Sequence, residues 1–424
     1  MTTPGTNRAE RIIARCREIA SFTEVPGETT RTFLSPPMHQ VHALLRLWME
    51  AAGMTVHIDP IGNLRGLHSG LTPNAPRLLI ASHLDTVPNA GAFDGILGVV
   101  LGLAVIEELR GQRLPFAIEV IGFSEEEGIR FSKPFLGSLA LIGALDAETL
   151  ARTDKDGTTI AEAIRNFGLN PDDLPAASLS SEAFAYLEFH IEQGPTLESE
   201  SQPLGIVAAI AGQTRLQLTF TGHANHAGTT PMHLRRDAMA AAAEWITAVE
   251  RYAKAQTDLF VATVGKVETW PGTGNVIAGK VAASLDVRHA QNHMREHAVN
   301  SLLKLAQHVS ATRGVEVEAH VNMEQSAVHM DARLTNLLHS AAKQAGYPSR
   351  TMYSGAGHDA MIIAPHLPST MLFLRSPGGL SHHPDEAVLP EDIEAALTTA
   401  IEFLTLLRDA PSLHNRSTLK DDHA

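Results

Sequence analysis

The first half of the chain alternates between strand-like and helix-like patterns of apolar residues. Apolar positions recur at helical spacing over residues 7–20 and 38–53, whereas "RLLIAS" (77–82) is the short continuous apolar run of a strand buried on both faces. The alternation continues with a helix at 95–110 and strands at 116–124 and 185–194. Strands that alternate with helices in this way predict an α/β domain with a largely parallel or mixed sheet.

A second pattern begins near Gly212. The segment "TRLQLTFTG" (214–222) alternates apolar and polar residues, which is typical of an antiparallel strand with one exposed face. The elements expected after it are helices at 235–255 and near 292–313, and strands near 260–268, 280–288 and 315–322. Two helices against about four antiparallel strands form a compact α+β domain.

The α/β pattern returns from about residue 330, so the second pattern interrupts the first. We therefore predict one domain made of residues 1–212 and 330–424, and a smaller inserted domain of residues 213–329. The C-terminal segment "NRSTLKDDHA" is expected to be frayed.

Composition and charge exclude several classes of function. The chain has 424 residues, enough for two domains, and no apolar run of the ~18–20 residues that cross a bilayer. Charged residues interrupt every apolar stretch near the start, so we expect no signal peptide. The net charge of −14 argues against nucleic acid or an anionic membrane as a partner. The single cysteine, Cys16, excludes an internal disulfide and is typical of a cytoplasmic protein.

Histidines and carboxylates recur where the predicted strands end. The groups concerned are His83, Asp85, Asp94, the run "SEEEG" (124–128), His190 and the run "SHHPDE" (381–386). All of them end or follow a predicted strand, and Asp94 also precedes the next helix. Because ligands bind outside the carboxyl ends of strands in open α/β sheets, we expect these groups at one rim of the sheet.

Each of these motifs alone has a simpler interpretation. A single His-x-Asp at a strand end is usually a hydrogen-bonded pair at the surface, and a triple Glu is usually a solvated turn. Two adjacent histidines near a C-terminus more often lie in a loop than on a metal. The coincidence of all of them at strand ends is what favours a metal site.

The donor types suit a pair of divalent cations. Two cations about 3.5–4 Å apart need a bridging carboxylate, about two more ligands each and an open position for water. Asp94 lies in a glycine-flanked turn and can bridge, while His83 serves one cation and a carboxylate of the Glu run serves the other. His190 and His382 complete the two sets. Asp85 can accept a hydrogen bond from the ring nitrogen of His83 that is not on the metal.

A remaining glutamate of the same run can take the proton of a water molecule and later give it to a leaving amine. This combination is typical of the metal-assisted hydrolysis of an amide-like bond.

Six motifs resemble those of a family of metal-dependent amidohydrolases. They are "SHLDTVPNAGAFDG", "EEEGIRF", "HIEQGP", "NHAGTTPM", "SGAGHDA" and "LSHHPDE". The branch in question holds N-carbamoyl-L-amino-acid hydrolases, allantoate amidohydrolases and β-ureidopropionases, within the aminoacylase and carboxypeptidase superfamily. The resemblance implies a catalytic α/β domain interrupted by a lid and dimerisation domain, and therefore a homodimer.

The resemblance also implies which residues hold the metals. One cation would be held by His83, Asp94 and His190, and the second by Asp94, Glu127 and His382. Glu126 would be the general acid/base, because the family's glutamate pair directly precedes the glycine, here Gly128. His382 is preferred over His383 because the family's ligand is the first histidine of the pair. These donors suit Zn²⁺, Mn²⁺, Co²⁺ or Ni²⁺.

Substrate contacts follow from the same resemblance. The implied residues are Gln193, His226, Asn275, Arg288, Gly357 and His358. His226 would stabilise the oxyanion, from this chain or from a partner subunit, while Asn275 and Arg288 would hold the substrate carboxylate.

The expected reaction is the hydrolysis of an N-carbamoyl-L-amino acid to the amino acid, carbon dioxide and ammonia. His190 favours this reaction, because peptidase relatives tend to use a carboxylate at that position. Allantoate is the main alternative substrate, since it also carries ureido and carboxylate groups, and an aminoacylase or dipeptidase is a further alternative. A non-catalytic amino-acid-binding protein is disfavoured, because no expected ligand or acid/base is missing.

Overall fold

The computed structural model describes residues 4–256 and 260–414 of the chain. They form two compact units. The first contains the residues up to Ala208, Met330–Met352 and the residues from Ala356 onward, and the second contains Ala209–His329 and Tyr353–Gly355. The segment 415–424, expected to be frayed, lies outside the described residues.

The first boundary between the units lies four residues before the expected position, after Ala208 instead of residue 212. The reason is strand pairing, because Ala209 and Ile210 pair with His329 and Val328 of the second unit. The residues Tyr353–Gly355 also join the second unit, which the hydrophobic pattern did not indicate.

The helices and strands predicted from the hydrophobic pattern are present, with bounds that differ by a few residues. The strands are β1 (Thr55–Ile58), β2 (Leu64–His68), β3 (Arg77–His83), β4 (Ala117–Phe123), β5 (Ala183–Ile191), β6 (Leu204–Ile210), β7 (Gly212–Thr221), β8 (Phe260–Thr263), β9 (Val267–Trp270), β10 (Lys280–His289), β11 (Glu316–Gln325), β12 (Val328–His329), β13 (Ser349–Ser354) and β14 (Ser369–Leu374).

The helices are α1 (Pro4–Ala20), α2 (Pro36–Ala51), α3 (Ile96–Glu108), α4 (Leu136–Leu141), α5 (Ala147–Leu150), α6 (Ile160–Asn166), α7 (Thr196–Ser199), α8 (Ala238–Lys254), α9 (Asn292–Arg313), α10 (Ala332–Gln344), α11 (Ala360–Ile363) and α12 (Pro390–Arg408). Short 3₁₀ turns lie at Pro171–Ala177, Met232–Leu234, Pro377–Gly379 and Pro411–His414. Within the described part of the chain, every helix is too short or too polar to cross a membrane.

A mixed sheet forms the centre of the first unit, in the order β1-β2-β4-β3-β5-β14-β6, with β13 also on β6. Strands β4, β3, β5 and β14 run parallel to one another, and β2 and β6 flank them in the antiparallel sense. The carboxyl ends of four neighbouring strands therefore meet at one edge. This arrangement confirms the predicted α/β class with a mixed sheet.

Helix α3 packs on the sheet with its full circumference buried. Every residue from Ile96 to Ile106 is inaccessible to solvent, which explains why the helix is apolar on all sides. Two glycines allow the close approach to the strands. A Cβ on Gly98 would lie 2.3 Å from the carbonyl oxygen of Phe189, and one on Gly102 would lie 3.0 Å from Ile80. The start of α3 is therefore held directly against the strand ends.

The second unit is an antiparallel sheet covered on one face by α8 and α9. The sheet has the order β11-β7-β10-β8, and β9 also pairs with β10. It has five strands where about four were expected, because the segment near 260–268 forms two short strands. Both pair with the same side of β10, β8 with its second half and β9 with its first.

A buried ion pair links β2 to β4 within the first unit. Nε of Arg65 donates to Glu119 at 2.7 Å, and Nη1 of Arg77 donates to the other oxygen of Glu119 at 2.8 Å. Burial of the carboxyl opposes its ionisation, but the charges and hydrogen bonds of the two arginines outweigh that effect and lower the pKa of Glu119.

Replacing Glu119 with Gln is expected to lower the free energy of unfolding by about 3 kcal/mol at neutral pH, because Arg65, which is buried, and Arg77 lose the carboxylate charge that both contact. Since the folded-state pKa is lowered, the wild-type advantage is full above the ordinary glutamate pKa of about 4.3 and is lost as the pH falls through the folded-state value. Urea unfolding at neutral pH and at about pH 3.5 measures both effects.

The control for this substitution is Glu107→Gln, since Glu107 pairs with Arg11 and Arg15 nearer the surface. Its effect is expected to stay below about 1 kcal/mol. Equal losses for the two variants would contradict the role of burial.

Candidate active site

The predicted site residues of the first unit lie where the four parallel strands end. His83 is the last residue of β3 and is opposite Phe123 of β4. His190 is near the end of β5 and is opposite Phe373 of β14. The glutamate run follows β4, and the loop that carries His382 follows β14. Residues far apart in sequence therefore meet at one edge of the sheet.

Three histidines converge on the carboxylate of Asp94. Its Oδ1 lies 3.2 Å from Nε2 of His190 and 3.8 Å from Nε2 of His83. Its Oδ2 lies 3.2 Å from Nε2 of His382. Burial opposes the ionisation of Asp94, but the hydrogen bond from His382 and the charges of His190 and His83 outweigh it and lower the pKa of this carboxyl. Oδ1 thus faces the imidazoles of His83 and His190, whereas Oδ2 faces that of His382.

The possible metal ligands fall into three groups, and within each the donor atoms lie within 4.8 Å of one another. The groups are His83 with Asp94 and His190, His83 with Glu126 and Glu127, and Asp94 with Glu127 and His382. Imidazole and carboxylate donors suit first-row divalent cations. Because Asp94 belongs to two groups through different oxygens, the residues present fit a pair of cations that share it.

Glu126 and Glu127 differ in their surroundings. Oε1 of Glu127 lies 3.5 Å from Nε2 of His382, and burial together with the charge of Asp94 raises the pKa of Glu127 to about 7. Glu126 is buried, which raises its pKa well above the ordinary value even though the charge of His83 acts in the opposite direction. A carboxyl with a raised pKa can hold and release a proton near neutral pH.

Asp85 has more contacts than the sequence indicated. Its Oδ1 lies 3.3 Å from Nδ1 of His83, and its main-chain oxygen lies 3.0 Å from the same nitrogen. Nδ1 is the ring nitrogen of His83 that does not face Asp94. The two carboxylate oxygens also accept the backbone N–H groups of Glu126 at 2.9 Å and Glu127 at 3.1 Å. One side chain therefore orients a histidine and the segment that carries both glutamates.

His358 and Gly357 lie beside these residues. The ring of His358 packs edge-on against His190, with ring centroids 4.5 Å apart. A Cβ on Gly357 would lie 2.9 Å from Phe135 and 3.7 Å from Oε1 of Glu126, so a larger residue at this position would displace the Phe135 ring beside Glu126.

Gln193 has an unexpected contact. Its Nε2 lies 3.2 Å from each oxygen of Asp94, so the amide donates to the carboxylate on which the three histidines converge. Its Oε1 is buried and has no hydrogen-bond partner among the described residues.

The other predicted substrate contacts belong to the second unit. His226 pairs with Val276, and the N–H of Ala227 donates to the carbonyl of Asn275 at 2.9 Å, so the structure brings the His226 and Asn275 segments together. Arg288 is fixed separately, on β10. Its Nε and Nη2 donate to Asp286 at 3.1 and 2.9 Å, and its Nη1 donates to the carbonyl of Gly355.

Arg31 is a residue of the site that the sequence analysis missed. It is fully buried, and its Nε donates to the carbonyl of Leu84 at 2.7 Å, between His83 and Asp85. Its backbone N–H donates to the hydroxyl of Thr86 at 2.9 Å. No local pattern marks this arginine, because its burial depends on segments more than fifty residues away.

Comparison with known proteins assigns the chain to a family. Residues 79–406, which include every candidate metal ligand, match peptidase family M20/M25/M40. The chain belongs to this family. The match confirms the superfamily that the motifs resemble.

Members of this family with similar sequences are amidohydrolases. "Allantoate deiminase 1" of Glycine max is 38% identical over 428 residues, covering 92% of this chain and 88% of its own. An "N-carbamoyl-L-amino acid amidohydrolase" of Geobacillus stearothermophilus is 39% identical over 389 residues, covering 91% and 95%. A solved amidase of the hydantoinase/carbamoylase family from Burkholderia multivorans has a TM-score of 0.88 at 33% identity, covering 94% and 97%. Within the M20/M25/M40 family, the chain is therefore a hydrolase of carbon–nitrogen bonds other than peptide bonds.

Replacing His382 with Ala is expected to lower the metal content of the purified protein from two equivalents toward one, because one ligand group loses its imidazole. The matched control is His383→Ala, since His383 is exposed and contacts Asp385. Elemental analysis after gel filtration measures both. If His383→Ala lost metal and His382→Ala kept its full metal content, the ligand would have to be reassigned to His383.

Proposed function

We propose that this protein hydrolyses the ureido carbon–nitrogen bond of an N-carbamoyl-L-amino acid, giving the amino acid, carbon dioxide and ammonia. The observation that carries the proposal is the position of Asp94, which presents one oxygen to His83 and His190 and the other to His382. Similarity to an N-carbamoyl-L-amino acid amidohydrolase at 39% identity supports the substrate class.

Two divalent cations would complete the site, one held by His83, Asp94 and His190 and the other by Asp94, Glu127 and His382. When bound, such cations polarise a carbonyl and lower the pKa of water toward neutrality. The donor set suits Zn²⁺, Mn²⁺, Co²⁺ and Ni²⁺ alike. Asp85 keeps Nε2 of His83 directed at the metal position by facing Nδ1.

Glu126 acts as the general acid/base. It takes the proton from the attacking water and delivers it to the departing nitrogen. Its burial supports this role, because a raised pKa lets one carboxyl accept and donate a proton in the same cycle.

His226 donates a hydrogen bond to the developing oxyanion. The N–H of Gly228 donates to Nδ1 of His226 at 3.0 Å, which places the proton of the neutral ring on Nε2. The exposed Nε2–H is then available as a donor, and such a donor is worth ~3–4 kcal/mol of transition-state stabilisation.

The substrate carboxylate is held by Arg288 and Asn275. Asp286 and Gly355 fix the Arg288 guanidinium and still leave Nη hydrogens for a second carboxylate. In the first unit, Oε1 of Gln193 has no hydrogen-bond partner among the described residues and can accept a ureido N–H. His358, which packs against His190, is proposed as a further substrate contact.

Allantoate is the second candidate substrate. The specific observation in its favour is that the Glycine max allantoate deiminase is 38% identical, which is almost the same as the carbamoylase relative. Both substrates present a ureido group and a carboxylate, so the same residues serve either.

The second unit is proposed as a lid and as the interface of a homodimer, in which case His226 acts from this chain or from its partner. The exposure of the edge strand β11, with Val321 about half exposed, supports an interface there. A cytoplasmic location is proposed from the single cysteine, which is buried.

Replacing Glu126 with Gln is expected to lower kcat by about 10²–10⁴-fold, because the amide cannot accept the proton of the attacking water. Both metal equivalents are expected to remain, since Glu126 is not a proposed ligand of either cation. Steady-state kinetics and elemental analysis on the same preparation check this. Wild-type kcat with both metals bound would contradict the assignment.

A substrate panel on metal-reconstituted enzyme tests the function itself. Ammonia release is expected from N-carbamoyl-L-amino acids at a higher kcat/KM than from allantoate, because allantoate carries a second ureido group to which the proposed site assigns no residue. Faster release from allantoate would reverse the order of the two candidates. Hydrolysis of N-acyl amino acids or dipeptides without ammonia release would instead identify an aminoacylase or dipeptidase.

A further inference from the structure

The carboxylate of Glu386 lies buried between two loops of the proposed metal site. It is 5% exposed, and its Oε1 accepts the backbone N–H of Phe93 at 2.9 Å and that of Asp94 at 3.0 Å. Glu386 is four residues after His382 in the chain, whereas Asp94 is almost three hundred residues away. One side chain therefore joins the loop of the bridging aspartate to the loop of His382.

The fit between these loops depends on Gly91. A Cβ at Gly91 would lie 2.3 Å from Cβ of Glu386 and 2.6 Å from its Oε1. Any other residue at this position would push the carboxylate away from the N–H groups that it accepts. The glycine thus allows the contact that Glu386 makes with the Asp94 turn.

A second link runs through Ser381 and Gln193. Oε2 of Glu386 faces the Ser381 hydroxyl at 3.5 Å, and that hydroxyl accepts a hydrogen bond from Nε2 of Gln193 at 3.0 Å. The same Nε2 lies 3.2 Å from both oxygens of Asp94. Asp94 is therefore held at its backbone by Glu386 and at its carboxylate by Gln193.

Two residues of the loops around Asp94 have an unfavourable backbone conformation, which tertiary contacts must hold in place. His382 and Gln193 have φ values of 56° and 60°, in the left-handed region that residues other than glycine rarely adopt. His83 and His190, in contrast, belong to buried strands of the sheet. Among the three histidines, His382 is thus the one that a loop, and not a strand, carries.

We propose that Glu386 is a positioning residue that fixes the separation between Asp94 and His382 and thereby holds the second cation. This inference rests on the proposed function, since it requires two cations that share Asp94. The cation of Asp94, Glu127 and His382 depends on Glu386, whereas that of His83, Asp94 and His190 is held largely by the strands.

The test compares Glu386→Ala, Glu386→Asp and Glu386→Gln with the control Asp385→Ala in the full-length protein. Asp385 is the preceding residue, is exposed and contacts only the side chain of His383 among the described ion pairs. Titration of each metal-free protein with Zn²⁺ or Mn²⁺ by calorimetry gives the affinity of each equivalent, and circular dichroism gives the melting temperature.

In the Ala and Asp variants, the affinity for one of the two equivalents is expected to fall about 10–100-fold, because partners that orient metal ligands have effects of this size. The Gln variant is expected to retain both equivalents, since its carbonyl oxygen can accept the same two N–H groups. Excess metal should restore kcat in the Ala and Asp variants. Asp385→Ala should match the wild type.

Wild-type affinity for both equivalents in the Ala and Asp variants would overturn the proposal. So would equal weakening of both equivalents with a lower melting temperature, because that pattern indicates a general structural role; the shorter Asp variant distinguishes it if the Ala variant does not fold. Failure of the wild type itself to bind two cations would instead overturn the proposed function.

Discussion

The carboxylate of Asp94 is the group on which the arrangement of the first unit depends. An ionised carboxylate buried without counter-charge costs several kcal/mol, so its surroundings must supply donors or positive charge. His190, whose Nε2 lies 3.2 Å from Oδ1 of Asp94, resists carrying that charge, since burial lowers its pKa to about 4. A divalent cation satisfies both groups at once, because it takes an ionised carboxylate and a neutral imidazole as ligands. The types of donor atom and the burial of Asp94 and His190 therefore both favour a divalent cation at this position.

Close packing of α3 on the sheet and hydrogen bonds from neighbouring loops together hold the Asp94 carboxylate in position. Helix α3 begins one residue after Gly95, and the glycines at 98 and 102 let it lie directly on β3 and β5. The turn with Asp94 is consequently set against the ends of the strands that supply His83 and His190. Helices with larger residues at these positions would stand further from the sheet and would carry the aspartate away from the histidines.

The sequence predicted the elements that have a strong local pattern, and the structure brings the candidate metal ligands together at the edge of the sheet where the strand ends predicted them. Continuous apolar runs identify β3, and alternation identifies β7, because burial on two faces or one leaves a direct signature in the order of residues. The contacts of Arg31, Gln193 and Glu386 had no such signature, since each depends on partners that are brought near only by the tertiary fold. The division of one expected strand into β8 and β9 was missed for a similar reason, because both pair with β10 and their pairing is not local.

Asp85 gives the run of three glutamates an order that composition alone does not contain. Glu125, Glu126 and Glu127 are chemically identical side chains in consecutive positions, so residue type alone does not distinguish their roles. The two oxygens of Asp85 accept the backbone N–H groups of Glu126 and Glu127 and so fix the position of each glutamate relative to the site. Insertion or loss of one glutamate would leave the sequence motif almost unchanged. It would nevertheless shift the glutamates by one position relative to Asp85, so that each would occupy the place of its neighbour.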